Sequence, residues 1–168
     1  MGTRHRGTEA EIASLDAYIK LMRAAESVTA RLSARLPSDL TLSQFGVLET
    51  LLHCGPLCQG QLAAKLLKSG GNLTLVVDNL EKAGHVVRTR DPHDRRFVTV
   101  SLSPSGRALI AGLFPTIAQA ITEEFSVLDP CEQQQLGSLC KRIGRPGLAR
   151  AELGDRASAS QTLPVEAE

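Results

Sequence analysis

The sequence predicts a mainly α-helical fold with a small β-hairpin set into it, and three observations carry that expectation. Apolar residues recur at helical spacing along most of the chain, as at Leu73, Val76, Val77 and Leu80. The period shortens to two only between Val86 and Leu102. Aromatic residues are scarce (four Phe, one Tyr and no Trp), so the core has to be assembled from Leu, Val, Ile and Ala, as helical proteins often manage.

Residues 1–10 are polar and are expected to be flexible. Leu15, Ile19, Met22, Val28, Leu32 and Leu36 then mark a long first helix, about 11–36, that Pro37 closes. Thr41 or Ser43 can cap a second helix containing Phe45, Val47, Leu48, Leu51 and Leu52, which breaks at Gly55-Pro56. A short third helix covers about 59–68, with Leu62, Ala63, Leu66 and Leu67 on one side, and Ser69-Gly70-Gly71 reads as a tight turn.

The next helix, about 72–82, carries Leu73, Val76, Val77 and Leu80 as one apolar stripe, and Gly84 terminates it as a C-cap. Val86–Arg90 and Val98–Leu102 alternate as two strands around the turn residues Asp91-Pro92-His93-Asp94. Ser103 with Pro104 opens a long helix to about Phe125, in which Pro115 should cause a kink or a break. Asp129-Pro130 starts a last helix to about Ile143. From 144 to 168 the Ala, Ser, Gly and Pro content without apolar periodicity predicts a disordered tail.

The length of 168 residues suits one domain, and the net charge of +1 by itself points to no partner. Charge is unevenly placed, however. Between Gln59 and Leu102 seven basic side chains (Lys65, Lys68, Lys82, Arg88, Arg90, Arg95, Arg96) outnumber four acidic ones (Asp78, Glu81, Asp91, Asp94). The first 14 residues carry charges and no apolar segment of a secretory signal, and no run approaches the roughly 18 apolar residues of a membrane span. A soluble protein of the reducing cytoplasm is expected, with no membrane partner.

Two short helices joined by a tight turn, followed by a hairpin, are the parts of a winged helix-turn-helix, and they point to double-stranded DNA as the partner. The second helix of the pair can lie in the major groove, about 12 Å wide, where base edges differ in their donors and acceptors. Its apolar stripe belongs to the core, so the opposite face has to read the bases. Asn72, Thr74 and Asn79 can hydrogen-bond there, and Leu75 can touch a thymine methyl. Lys68, Ser69 and the helix N-terminus would hold a phosphate, and Arg88, from the same basic stretch, is expected to contact DNA as well. At the hairpin tip Arg95 and Arg96 can enter the electronegative minor groove, with Asp94 orienting Arg96.

The run Leu73-Thr74-Leu75-Val76-Val77-Asp78-Asn79-Leu80-Glu81-Lys82-Ala83-Gly84, followed by Asp91-Pro92-His93-Asp94-Arg95-Arg96-Phe97-Val98-Thr99-Val100-Ser101-Leu102 and by Ser105-Gly106, resembles the MarR family of transcriptional regulators. The helix order on both sides agrees, so the resemblance spans about residues 10–143. It implies one domain over 11–143, with the winged helix-turn-helix at about 41–102. It further implies a homodimer made by the helices at about 11–36 and 104–143, with Arg96 as the minor-groove arginine and Asp94 as its partner. Ligand-responsive repression at a pseudo-palindromic operator is implied as well, by a small aromatic or phenolic effector held near Met22, Phe45 and His53.

Cys54 and Cys58, beside His53, offer an alternative: a thiol-based redox regulator. Family peroxide sensors carry their cysteine in the first helix, and this first helix has none. His53, Cys54 and Cys58 provide three ligands but no fourth, so no metal site is expected, and all four cysteines are expected to pack as small hydrophobes. No phosphate loop, nucleophile elbow or metalloprotease helix is present, so no enzyme and no cofactor are expected. A winged helix used for protein contacts, in place of DNA, is the remaining alternative.

Overall fold

The computed structural model of the protein describes residues 4–66, 70–90 and 98–144. The chain divides into two compact units, Met1–Glu124 and Phe125–Glu168.

In the first unit α1 (Glu9–Ser33) starts two residues earlier than its apolar pattern. Thr8 and Glu11 form a capping box: the Thr8 hydroxyl accepts from the Glu11 N–H at 3.3 Å, and the Glu11 carboxylate accepts from the Thr8 N–H at 2.8 Å. The helix ends before Leu36, where Arg35 and Leu36 donate to Leu32 and Ser33 in tighter turns of 3.0 and 3.2 Å. A second box, Thr41 with Gln44, opens α2 (Leu42–Cys54), and Gly55 closes it at φ +74°.

A two-residue strand that hydrophobic patterning missed follows, β1 (Leu57–Cys58). It pairs antiparallel with β3 (Val98–Leu102), Leu57 opposite Val100, and β3 pairs on its other side with β2 (Val86–Arg90), Val86 opposite Leu102. The expected hairpin is thus a three-stranded sheet of order β1-β3-β2. Two residues are too few to show a period of two, which is why β1 left no trace in the pattern.

Between the strands lie α3 (Gln59–Leu66) and α4 (Gly70–Lys82). Gly70 and Gly71 belong to the first turn of α4, where a tight turn was expected. The helix ends as anticipated at Gly84, φ +76°, where the Gly84 and His85 N–H groups donate to the Glu81 and Leu80 carbonyls, both at 2.9 Å. Leu73, Val77 and Leu80 of α4 are fully buried together with Val47, Leu48, Leu62, Val100 and Ile110. One apolar core therefore joins α2, α3, α4, the sheet and α5 (Pro104–Phe125), and it fixes the side of α4 that remains outside.

Helix α5 runs without a break through Pro115, which corrects the break that was one of the two expected outcomes there. Pro115 is exposed, so the backbone group its ring leaves without a donor lies on the solvent side. The second unit begins at Phe125 and contains α6 (Pro130–Ile143), capped by the Asp129 carboxylate accepting from the Glu132 N–H at 2.9 Å. Leu136, Leu139 and Ile143 are all exposed on α6. Among the described residues no helix is long and apolar enough to cross a membrane.

Candidate nucleic-acid interface

Helix α4 presents three faces, each set by its sequence. At 100° per residue, Leu73, Val76, Val77 and Leu80 form the buried one. Asn72, Leu75 and Asn79 fall on the outward face, and all three are exposed, Leu75 at 62%. Leu75 therefore stands bare between two amides on the side of α4 that the core leaves open.

Thr74, Asp78 and Glu81, spaced i, i+4 and i+7, line the third face, which turns towards β2. The Thr74 hydroxyl, expected to read a base, has internal partners. It donates to the Gly70 carbonyl at 2.9 Å and accepts from the Gln59 side-chain amide of α3 at 2.8 Å. Arg88, expected to contact DNA, is likewise engaged. Its Nη1 lies 2.6 Å from Asp78 Oδ1 and 2.8 Å from Glu81 Oε2, with the side chain only 20% exposed. Sequence patterning had no signal for this cluster, because its members come from three elements, α3, α4 and β2.

Lys68, Ser69, Asp94, Arg95 and Arg96 lie outside the described residues. The other suggested sites occupy dissimilar surroundings. Phe45 is buried in the core, Met22 stands exposed on α1, and the exposed His53 sets its ring edge-on to Phe114 at 4.8 Å, 3.8 Å from Glu49. Cys54, Cys131 and Cys140 are exposed, which corrects the expectation that they pack as small hydrophobes, and Cys58 is half-buried; all four are free thiols. Among the described residues no cluster of His, Cys, Asp or Glu could hold a metal ion.

The MarR family model matches residues 40–98, from two residues before α2 to the start of β3. The HTH-type transcriptional regulator MhqR of Bacillus subtilis is 33% identical over 132 residues, 78% of this chain and 91% of that protein. The chain belongs to the MarR family. Two of its curated relatives are spanned over 66% and 91% of their own length. MarR of E. coli, solved with operator DNA, superposes with a TM-score of 0.65 at 27% identity, covering 77% of this chain and 96% of that one. BpsR of Bordetella bronchiseptica, whose DNA binding is regulated by 6-hydroxynicotinic acid, superposes at 0.71 and 27% identity, over 77% of this chain and 98% of that one. This MarR-family protein is a transcriptional regulator that binds DNA and is not an enzyme.

Proposed function

We propose that the protein is a homodimeric repressor of a pseudo-palindromic operator, reading bases with the outward face of α4. The observation that carries this is the pairing of exposed Asn72, Leu75 and Asn79 with a fully buried stripe on the same helix, which leaves one side of α4 free for a major groove. Lys68 and Ser69 supply phosphate contacts, and Arg95 and Arg96, with Asp94, supply the wing's minor-groove contact; these five lie outside the described residues.

Dimerisation draws its support from apolar side chains that the single chain leaves bare. Ile12, Leu15 and Met22 are 38 to 42% exposed along α1, and Leu136, Leu139 and Ile143 are exposed at i, i+3 and i+7 along α6. A second copy covering them would place two α4 helices on successive major grooves. Regulation by a small aromatic acid is supported by the likeness to BpsR.

The test is a titration of duplex DNA, selected by the protein from a random-sequence pool, with wild type and Arg96→Ala at several salt concentrations. The variant should bind more weakly, and its salt slope should be shallower by about 1 per subunit. Identical curves would remove the wing from the mechanism.

A further inference from the structure

We propose that Arg88 is a positioning residue, the centre of a polar brace that sets the angle of α4 against the wing strand β2, and that it does not touch DNA. The proposal rests on the reading of α4 as the base-reading helix.

The geometry is a two-sided clamp. From the wing, Arg88 reaches three turns of α4 at once: its Nη1 is shared between Asp78 (2.6 Å) and Glu81 (2.8 Å), and its Nη2 lies 3.5 Å from the Thr74 carbonyl. Its backbone N–H adds a 3.3 Å contact to Glu81 Oε1, so β2 and the last turn of α4 are joined by main chain as well as side chain. From the other side, Gln59 at the start of α3 donates to the Thr74 hydroxyl at 2.8 Å. Thr74, Asp78 and Glu81 thus form a polar stripe parallel to the apolar one, and every member is engaged before any DNA arrives.

The apolar stripe alone cannot supply this. The buried stripe of Leu73, Val77 and Leu80 sets which side of α4 faces out, but dispersion and hydrophobic contacts are non-directional, so they resist small rotations about the helix axis only weakly. Asp78 lies about 60° round the helix from Leu75, so a rotation of a few tens of degrees is enough to bring its carboxylate towards the groove floor. A guanidinium that donates along fixed directions to two carboxylates three residues apart resists that rotation. The same pairing makes Arg88 a poor phosphate ligand, since a phosphate would have to approach one guanidinium already facing two carboxylates that are each about 40% exposed.

The two roles predict different behaviour for Arg88→Lys, which keeps the charge and loses the fork. Affinity for the selected operator and for a scrambled duplex is measured against salt concentration for wild type, Arg88→Gln, Arg88→Lys, Asp78→Asn/Glu81→Gln and Gln59→Ala. The brace predicts that Arg88→Gln and Arg88→Lys both lower the operator-to-scrambled ratio by roughly tenfold, with the salt slope unchanged. Adding Asp78→Asn/Glu81→Gln to Arg88→Gln should lower the ratio little further, and Gln59→Ala should lower it several-fold less.

A wild-type ratio restored by Arg88→Lys, with a slope shallower by about 1 for Arg88→Gln, would make Arg88 a phosphate contact and overturn the proposal. Ratios unchanged in all variants, with only the melting temperature moved, would reduce the cluster to ordinary structural support and overturn it equally. Hydrogen exchange of the α4 amides, read without DNA, should quicken relative to α2 in both Arg88 variants, and unchanged exchange would also overturn it. If wild type prefers no duplex, the base-reading function fails on its own and hydrogen exchange decides the brace.

Discussion

Gly106 lies against His85 so closely that a Cβ at position 106 would stand 1.9 Å from the His85 carbonyl oxygen. That contact belongs to a latch between the α4–β2 corner and the start of α5. The Ser103 N–H donates to the His85 carbonyl at 3.0 Å, its hydroxyl donates to the Gly84 carbonyl at 2.6 Å, and the same hydroxyl accepts from the Gly106 N–H at 3.0 Å. The partner is backbone and cannot swing aside as a side chain would. Gly106→Ala should therefore cost about 3 kcal/mol, at the upper end for overpacking, measured by urea unfolding. A loss below about 0.5 kcal/mol would show that the corner can open.

The tie between α1 and α5 should be lost in acid. Arg31 Nε donates to Glu124 Oε2 at 2.7 Å, and this hydrogen bond, helped by the charges of Arg31 and Arg35, holds the Glu124 carboxyl below the usual carboxylate range against the opposing effect of burial. A depressed folded-state pKa means that the unfolded chain binds the proton first as pH falls. The stabilisation is then complete above the ordinary glutamate pKa of about 4.3 and disappears as pH drops through the lower folded value. Thermal melts of wild type and Glu124→Gln should differ at neutral pH and converge towards pH 3. A gap that stays constant with pH would mean the pair contributes no linkage.

Charge placed on the bare stripe of α6 should separate the subunits. Leu139 is 46% exposed and lies one turn from Leu136 and Ile143. Wild type should elute with the light-scattering mass of a dimer, and Leu139→Lys should shift it to a monomer at micromolar concentration while leaving the helical circular dichroism unchanged. A monomeric wild type would remove the symmetric reading of an operator.

Features written in local sequence were legible: the buried stripe of α4, the left-handed Gly84 that ends it, and the Asp129-Pro130 start of α6. Each depends on residues within one or two turns of one another. What escaped depends on chain segments meeting in space. Strand β1 exists only because Leu57 and Cys58 meet β3 some 40 residues later. Gly70 and Gly71 have the composition of a turn, yet they form the first turn of α4, where the leading N–H groups need no intrahelical partner and weak helix formers are tolerated. Thr74 and Arg88 looked free for DNA because their partners, Gln59 and the pair Asp78 and Glu81, lie across element boundaries. The outward triad of Asn72, Leu75 and Asn79 was legible for the complementary reason: it is what remains once the core stripe has been assigned.

That triad is where the account is tested most directly. Duplexes selected from a random pool by wild type should be rebound by Asn72→Ala and by Asn79→Ala with affinity lower by about 1–3 kcal/mol each, while binding to scrambled DNA stays within twofold. Selections repeated with each variant should return sequences relaxed at specific base pairs. Variants that rebind the selected operator with wild-type affinity and return the same consensus would contradict the claim that the outward face of α4 reads DNA.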